Sequence, residues 1–312
     1  MKNNVKGAGF GALKKKKLLF YLSIIVLPMI QFVIFYVIVN FNTFSLAFQK
    51  YEIVDGALVS QFVWFDNVKQ VINEFFTLPV LQSAFRNSLL AYAIGLVFGM
   101  SFALFFSYYI FKKFPFANTF KIFLYLPNIV SVMALAIMYK YIFDYAMPIV
   151  LNRENPDLEM VRLLTDANTR FAMIMVFNTF VTLGSNVLIY TGTMSGISPS
   201  VLEAAQVDGV NEMQELFLIV LPQVYPTIVT FLIAQMATIF TNQINLLNFY
   251  GGVADPEIQT LGYYMYINIE QYKNDLTQFP RLATIGLVLT CIALPVTMGM
   301  RKLLYAVGPS NE

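Results

Sequence analysis

The chain has 312 residues, of which 58% are hydrophobic and 12% are charged; its mean hydropathy is +0.64. Soluble globular domains carry about 25% charged residues, so this composition excludes an ordinary soluble fold. The net charge of +2 gives no indication of a nucleic-acid partner. Without histidine, and with Cys291 as its single cysteine, the sequence excludes an intramolecular disulfide and the usual zinc or Cys-His catalytic sites.

Apolar runs of about 20 residues, long enough to cross roughly 30 Å of hydrocarbon, predict a multi-pass membrane protein. Six spans are predicted: Leu18–Val39, Ser88–Ile110, Ile122–Tyr141, Phe171–Tyr190, Pro222–Phe240 and Leu282–Leu304. The first run follows a lysine cluster but is longer than the apolar part of a signal peptide, and we interpret it as a retained anchor. The predicted fold class is therefore an all-α membrane protein with about six transmembrane helices.

Charge along the chain predicts the orientation of these spans. The segments Lys2–Lys17, Lys112–Lys121 and Arg301–Lys302 are basic, and only Glu312 accompanies them as an acid. Cytoplasmic segments of membrane proteins are enriched in lysine and arginine, so these segments and both termini are predicted to be cytoplasmic. The alternate loops mix both signs of charge and are predicted to lie outside.

One predicted cytoplasmic loop, residues 191–221, departs from this rule. It contains no lysine or arginine but four acidic residues, Glu203, Asp208, Glu212 and Glu215. Pro199 suits a first helical turn and Gly209 suits a helix C-terminus, so the loop is predicted to be helix, turn, helix. Small alanines on the first helix permit another surface to approach closely. The loop therefore has the features of a docking element.

The same loop carries an extended motif: Glu203-Ala204-Ala205, Asp208-Gly209, Ile219 and Leu221-Pro222. At this spacing, and before the penultimate span, it resembles the EAA loop of permease subunits of binding-protein-dependent ABC importers. Shorter matches from Gln82 onward resemble the maltose and glycerol-phosphate subgroup of sugar permeases: Arg86-Asn87-Ser88, Leu126-Pro127, Gly251-Gly252 and Leu261-Gly262-Tyr263. The chain departs from the family pattern at Leu216–Leu218, where an aromatic and then a basic residue are common.

The resemblance implies a type I ABC importer transmembrane domain in a bacterial cytoplasmic membrane. Its expected parts are a basic cytoplasmic N-terminus (1–17), an extra helix with an outer loop (18–81), the core domain (82–304, with the EAA loop at about 191–222) and a cytoplasmic tail (305–312). Residues expected to couple to the ATPase are Glu203, Ala204, Ala205, Asp208, Gly209, Leu221 and Pro222.

The resemblance also implies partners, since the sequence contains no Walker A motif and ATP hydrolysis has to come from elsewhere. The expected partners are a second homologous permease, two cytoplasmic ATPase subunits that hold ATP and Mg²⁺, and an extracytoplasmic solute-binding protein. The chain itself is expected to bind no cofactor and to catalyse no reaction. The expected function is ATP-driven import of a solute, with a carbohydrate favoured.

Two polar stripes are predicted to face a solute path. They comprise Asn178, Thr182, Ser185 and Asn186 in the fourth span, and Gln235, Thr238, Asn242 and Asn245 in the fifth. Amide and hydroxyl groups in hydrocarbon need partners, so each stripe is predicted to face either an aqueous path or a neighbouring helix. Neutral groups of this kind suit a sugar or polyol.

Two other functions fit the hydropathy. A gradient-driven secondary transporter of a small polar solute is the first alternative, but such carriers usually need an ionisable group at membrane depth. None of the six predicted spans has one near its centre. An intramembrane enzyme is the second alternative, but no metal-ligand cluster, glycine-rich phosphate loop or paired membrane carboxylates occur in the sequence.

Overall fold

The computed structural model describes residues 6–154 and 162–309. Within them, six helices are long and apolar enough to cross a membrane, and we call them the first to sixth spans. They are Phe20–Ala47, Pro79–Phe111, Val132–Leu151, Arg170–Met194, Glu212–Ala237 and Leu276–Val307. The predicted helical membrane fold is confirmed. The predicted cytoplasmic residues Lys2 and Glu312 lie outside the described residues.

The chain divides into two compact units, of which one comprises the described residues up to Ile72 together with Tyr272–Val288. Its elements are the helix Lys6–Phe32, a π-helical turn Val33–Ile38, the helix Val39–Ala47, the strands Gln49–Val54 and Ala57–Phe62, and the start of the helix Asp66–Thr77. The large apolar side chains of the first span between Phe20 and Phe44 are exposed, as expected for a surface in contact with lipid.

The two strands form an antiparallel hairpin that the sequence analysis did not predict. Its turn, Asp55-Gly56, has positive φ at both residues, which is the geometry that Asp-Gly favours between two strands. The Asn67 side-chain amide donates hydrogen bonds to the carbonyls of Ala47 and Gln49 at 3.0 and 2.7 Å. Asn67 therefore fixes the base of the hairpin to the end of the first span.

The other unit comprises Asn73–Gln271 and the described residues from Leu289 onward. Its helices before the fifth span are Pro79–Ile94, Ser101–Phe111, Ala117–Ile129, Val132–Tyr141, Met147–Glu154, Arg170–Met194 and Pro199–Val207. The later helices of the chain are Glu212–Glu215, Leu221–Ala237, Leu246–Tyr250, Leu261–Gln271, the 3₁₀ turn Leu276–Gln278 and Phe279–Val307. The π-helical turns Gly95–Met100, Ile142–Ala146 and Leu216–Val220 interrupt the second, third and fifth spans.

The predicted third span, Ile122–Tyr141, is wrong in its position. The helix Ala117–Ile129 ends at Val130, whose backbone is extended, and a new helix starts at Val132. Pro127 lies in the last turn of the first helix, where it removes a backbone donor and favours termination. The helix that can cross a membrane is therefore Val132–Leu151, about ten residues later than predicted.

This shift places an acidic residue inside the third span. Asp144 is 2% exposed, and its carboxylate accepts hydrogen bonds from the Leu164 backbone N–H at 2.7 Å and the Thr165 hydroxyl at 3.0 Å. The prediction that no span carries an ionisable residue near its centre is wrong for this span. Because both carboxylate oxygens hold the segment that follows the span, Asp144 has a structural role.

The core of this second unit consists of two apolar clusters. One joins the second, fourth and fifth spans through buried residues that include Ala103, Val187 and Val224. The other joins the third and fourth spans to the helix Leu246–Tyr250 through Ala136, Phe177 and Phe249 among others. The clusters fix the three spans whose polar residues are described next.

Candidate functional site

The acidic loop forms a short helix, Pro199–Val207, which we call the loop helix. Pro199 occupies its first turn, as predicted, and Gly209 follows its C-terminus with φ +78°. This left-handed conformation closes a helix and is unfavourable for residues with a Cβ atom. The chain then turns through Asn211, whose side chain accepts from the Gln214 N–H, while the Gln214 side chain accepts from the Asn211 N–H. The predicted helix, turn, helix is confirmed.

The loop helix has one packed side and one open side. Ala205 is buried, and Leu202 packs against the cluster between the second, fourth and fifth spans. On the open side, Glu203 and Ala204 are exposed, and Val207 is 88% exposed. The open side therefore presents apolar side chains beside the Glu203 carboxylate.

The remaining residues of the motif lie at different places. Asp208 follows the loop helix as its C-cap and is exposed. Leu221 and Pro222 lie further on, in the fifth span, where both are partly buried and Leu221 packs against the core. The π-helical turn Leu216–Val220 precedes Pro222, and such a turn accommodates a proline that cannot donate to the preceding turn.

A buried ion pair fastens the end of this loop to the second span. Glu215 is 2% exposed, and both of its carboxylate oxygens lie 3.0 Å from the Lys112 ammonium. The Tyr108 hydroxyl lies 3.2 Å from the same carboxylate and 3.0 Å from the Glu212 carbonyl. Sequence reasoning counted Glu215 among the acidic residues of the loop and missed this pair, because Lys112 is 103 residues away along the chain.

A polar cavity of about 240 Å³ lies among the second, fourth and fifth spans. The predicted path residues that line it are Asn178, Thr182, Ser185, Asn186, Gln235, Thr238 and Asn242. None of the residues lining it is charged. The side-chain amides of Asn186 and Gln235 have no hydrogen-bond partner within the part of the chain that the structure describes. Such amides can both donate to and accept from a neutral polar solute.

The predicted helical stripe of the fifth span is wrong in its geometry. The helix ends at Ala237, with Thr238 as its C-cap, and the following segment turns irregularly as far as Asn245, which has φ +61°. Asn242 still reaches the cavity, but Asn245 does not line it. Asn245 instead donates a hydrogen bond to the Asn178 side-chain oxygen at 2.9 Å.

The second span contributes a wall of the cavity that sequence reasoning missed. Its lining residues are Ser88, Ala91, Tyr92, Gly95 and Gly99. They lie at positions i, i+3, i+4, i+7 and i+11 of one helix face, so this face could have been found from its small and polar residues. Thr179, Phe231, Ile239 and Thr260 complete the lining.

Buried polar side chains hold the segment before Leu261 against the second span. Asn87 donates to the carbonyls of Glu257 and Gln259 at 2.7 and 3.0 Å. The Leu261 N–H donates to the Ser88 hydroxyl at 3.0 Å. Two of the short sequence matches, at Asn87-Ser88 and Leu261, are therefore in contact, next to Ser88 and Thr260 in the cavity lining.

Arg170 joins this segment to the start of the fourth span. Its guanidinium lies 3.0 Å from Asp255 and 3.2 Å from Glu257. The pKa of Asp255 lies below its ordinary value, first because the Glu257 backbone N–H donates to the carboxylate and further because of Arg170. Over residues 6–154 and 162–309, no group of three or more acidic or cysteine side chains is placed to hold a metal ion.

Comparison with known proteins adds independent evidence. Residues 95–309 match the family described as the binding-protein-dependent transport system inner membrane component. A probable ABC transporter permease protein of Mycoplasma genitalium is 29% identical over 110 residues, which are 34% of this chain and 32% of that protein. The lactose transport system permease protein LacF of Rhizobium radiobacter is 26% identical over 196 residues, 61% of this chain and 64% of that one.

The fold is also found in a solved structure. A chain of a bacterial ABC transporter involved in the import of the acidic polysaccharide alginate superposes with a TM-score of 0.73. The two chains are 19% identical, and the match covers 96% of this chain and 98% of the other. At this identity the likeness establishes a shared fold.

Proposed function

Since this chain belongs to the family of binding-protein-dependent transport system inner membrane components, we propose that it is the transmembrane permease subunit of an ATP-driven importer whose solute is a carbohydrate. Its partners are a second homologous permease, two cytoplasmic ATPase subunits and an extracytoplasmic solute-binding protein. ATP and Mg²⁺ belong to the ATPase, and this chain supplies the path and the coupling surface.

The loop helix carries this proposal. Its exposed face combines the apolar side chains Val201, Ala204 and Val207 with the carboxylates of Glu203 and Asp208. The apolar residues suit a hydrophobic cleft, and the acidic residues suit basic or polar groups at its rim. Its opposite side packs against the three spans that line the cavity. A push on the loop helix is therefore passed to the walls of the cavity.

Orientation follows from placing the loop helix at the ATPase. The basic segment Lys112–Lys121 begins at the end of the second span where Lys112 pairs with Glu215. The basic segment and the loop helix therefore lie on the same side of the membrane. This arrangement agrees with the enrichment of basic residues on the cytoplasmic side. The proposed location is the cytoplasmic membrane of a bacterium, with both termini in the cytoplasm.

The lining of the cavity supports a neutral carbohydrate. Hydroxyls and amides, with Tyr92 and Phe231 as aromatic surfaces, line it without a charged group. Sugar hydroxyls exchange hydrogen bonds with such amides, whereas an anionic sugar buried there would lack a countercharge from this chain. In the proposed cycle, closure of the ATPases on ATP moves the loop helices and opens the paired permeases outward. Hydrolysis and phosphate release return them to the inward-facing state.

Isolation of the tagged chain in mild detergent, followed by reconstitution, tests the proposal. A second permease and an ATPase are expected to co-purify, and uptake should require ATP on the ATPase side and persist when ionophores collapse ion gradients. A panel of labelled neutral and uronate oligosaccharides should show uptake of a neutral member. Uptake by the chain without an ATPase, driven by a gradient, would contradict the proposal and favour a secondary transporter.

A further inference from the structure

The second span both lines the cavity and ends at the acidic loop. Tyr92, Gly95 and Gly99 face the cavity from its middle. About two and a half turns beyond Gly99, Tyr108 contacts Glu215, and about one turn later Lys112 does so as well. In the described part of the chain, no other ion pair both joins two spans and has a carboxylate as buried as that of Glu215. The pair is thus a direct connection between the loop and a wall of the cavity.

The pair lies where two helix ends meet. Glu215 is in the first turn of the helix that starts after Asn211, and Lys112 is the C-cap of the second span. A carboxylate is favoured at a helix N-terminus and an ammonium at a C-terminus, so each charge is stabilised by its own helix as well as by its partner. The side chain of Lys112 is only 17% exposed and that of Glu215 only 3%, so water weakens the attraction little.

Neutralising one member leaves the other buried without its countercharge, which is strongly unfavourable. Glu215 and Lys112 are therefore expected to remain together when the loop moves. The capping box of Asn211 and Gln214 fixes the start of the helix that carries Glu215, and this start follows the loop helix directly in the chain.

We propose, resting on the function proposed above, that Lys112 and Glu215 are positioning residues that transmit movement of the loop helix to the second span, with Tyr108 orienting the carboxylate. Neither Lys112 nor Glu215 lines the cavity. It decides how far movement of the ATPase changes access to the cavity. A test of the pair therefore measures access to the cavity rather than uptake of a solute.

Gly95 provides a reporter position, because it lines the cavity and a Cβ atom there meets nothing within 4 Å. A chain with Gly95→Cys and Cys291→Ser carries one thiol in the cavity. In the complete transporter, isolated through a tag on this chain, its reaction rate with N-ethylmaleimide is measured with and without ATP plus vanadate. With the pair intact, trapping is expected to change the rate at least fivefold.

Glu215→Gln and Lys112→Met, each in that background, are expected to reduce the change to less than twofold while ATP hydrolysis continues. The exchanged pair, Lys112→Glu with Glu215→Lys, should restore at least half of it. Lys113→Met is the matched control, because Lys113 is the adjacent, exposed lysine, and the full change is expected there.

A full change in assembled Glu215→Gln or Lys112→Met would overturn the proposal, as would an exchanged pair that assembles without restoring it. If neither the single variants nor the exchanged pair assemble, the ion pair serves stability alone and the proposal also fails. These outcomes can be distinguished from failure of the proposed function. If the proposed function is wrong, either no ATPase co-purifies, or nucleotide leaves the labelling rate unchanged even in the chain with the native pair.

Discussion

Asn245 donates a hydrogen bond of 2.9 Å to the side-chain oxygen of Asn178, although Asn245 lies eight residues beyond the end of the fifth span at Ala237. The bond orients the Asn178 amide at the wall of the cavity. Asn245 is held in place in turn, because its own side-chain oxygen accepts from Asn248 at 3.0 Å. A residue outside the spans thus positions one that lines the cavity.

Replacement of Gln235 by leucine is expected to raise the KM for solute uptake about two- to tenfold. The Gln235 amide faces the cavity without a partner, and one hydrogen bond to a solute contributes about 0.5–1.5 kcal/mol. ATP-dependent uptake in reconstituted vesicles measures the effect. Thr230→Val, on an exposed position of the same helix away from the cavity, should leave KM unchanged. Equal KM values for both variants would remove Gln235 from the solute path.

Glu203→Lys and Gly209→Pro are expected to abolish uptake while the subunit remains in the membrane. The first reverses a charge on the exposed face of the loop helix, and the second forces φ toward about −65° at a residue that has φ +78°. Uptake and the amount of subunit in membranes are measured together. Glu52→Lys, at an exposed acid of the hairpin, is the charge-matched control. Normal uptake in both loop variants would count against the coupling role.

Gly184→Ala is expected to lower the unfolding temperature in detergent by on the order of 5 °C, because overpacking costs about 1–3 kcal/mol. A Cβ atom at Gly184 would overlap the Leu124 carbonyl and the Asn128 amide, where the helix Ala117–Ile129 packs against the fourth span. Gly192→Ala, in the same span, meets nothing within 4 Å and should be neutral or slightly stabilising. The measurement is loss of the monodisperse chromatographic peak after heating. Equal unfolding temperatures would show that the two helices separate readily.

Acid is expected to loosen the segment between Ala254 and Leu261. In the folded chain the pKa of Asp255 is below its ordinary value of 3.8. The ionised carboxylate therefore contributes its full stabilisation above pH 3.8, and this stabilisation is lost as the pH falls through the folded pKa. Hydrogen exchange of this segment, corrected for the intrinsic effect of pH, should increase below about pH 4. Asp255→Asn should remove that dependence, whereas Asp55→Asn, in the hairpin turn, should preserve it. A pH dependence that survives in Asp255→Asn would assign the effect to another group.

Several features of this protein were determined by the sequence alone. Hydropathy is a local property, so six spans follow from composition within windows of about 20 residues. The loop helix also depends on neighbours in the sequence, because Pro199 fixes its first turn and Gly209 its end. The resemblance to the EAA loop has the same origin, since the spacing from Glu203 to Pro222 is a property of one segment.

Only the tertiary structure decided which polar groups meet. Lys112 pairs with Glu215 across 103 residues, and Ser88 accepts from Leu261 across 173, so no local pattern contains either contact. The break at Val130 moved Asp144 into a span, and the end of the fifth span at Ala237 took Asn245 off the predicted helical stripe. A hydrogen bond between distant segments depends on the packing of whole helices, and that packing is fixed by the buried clusters rather than by the residues that the bond joins.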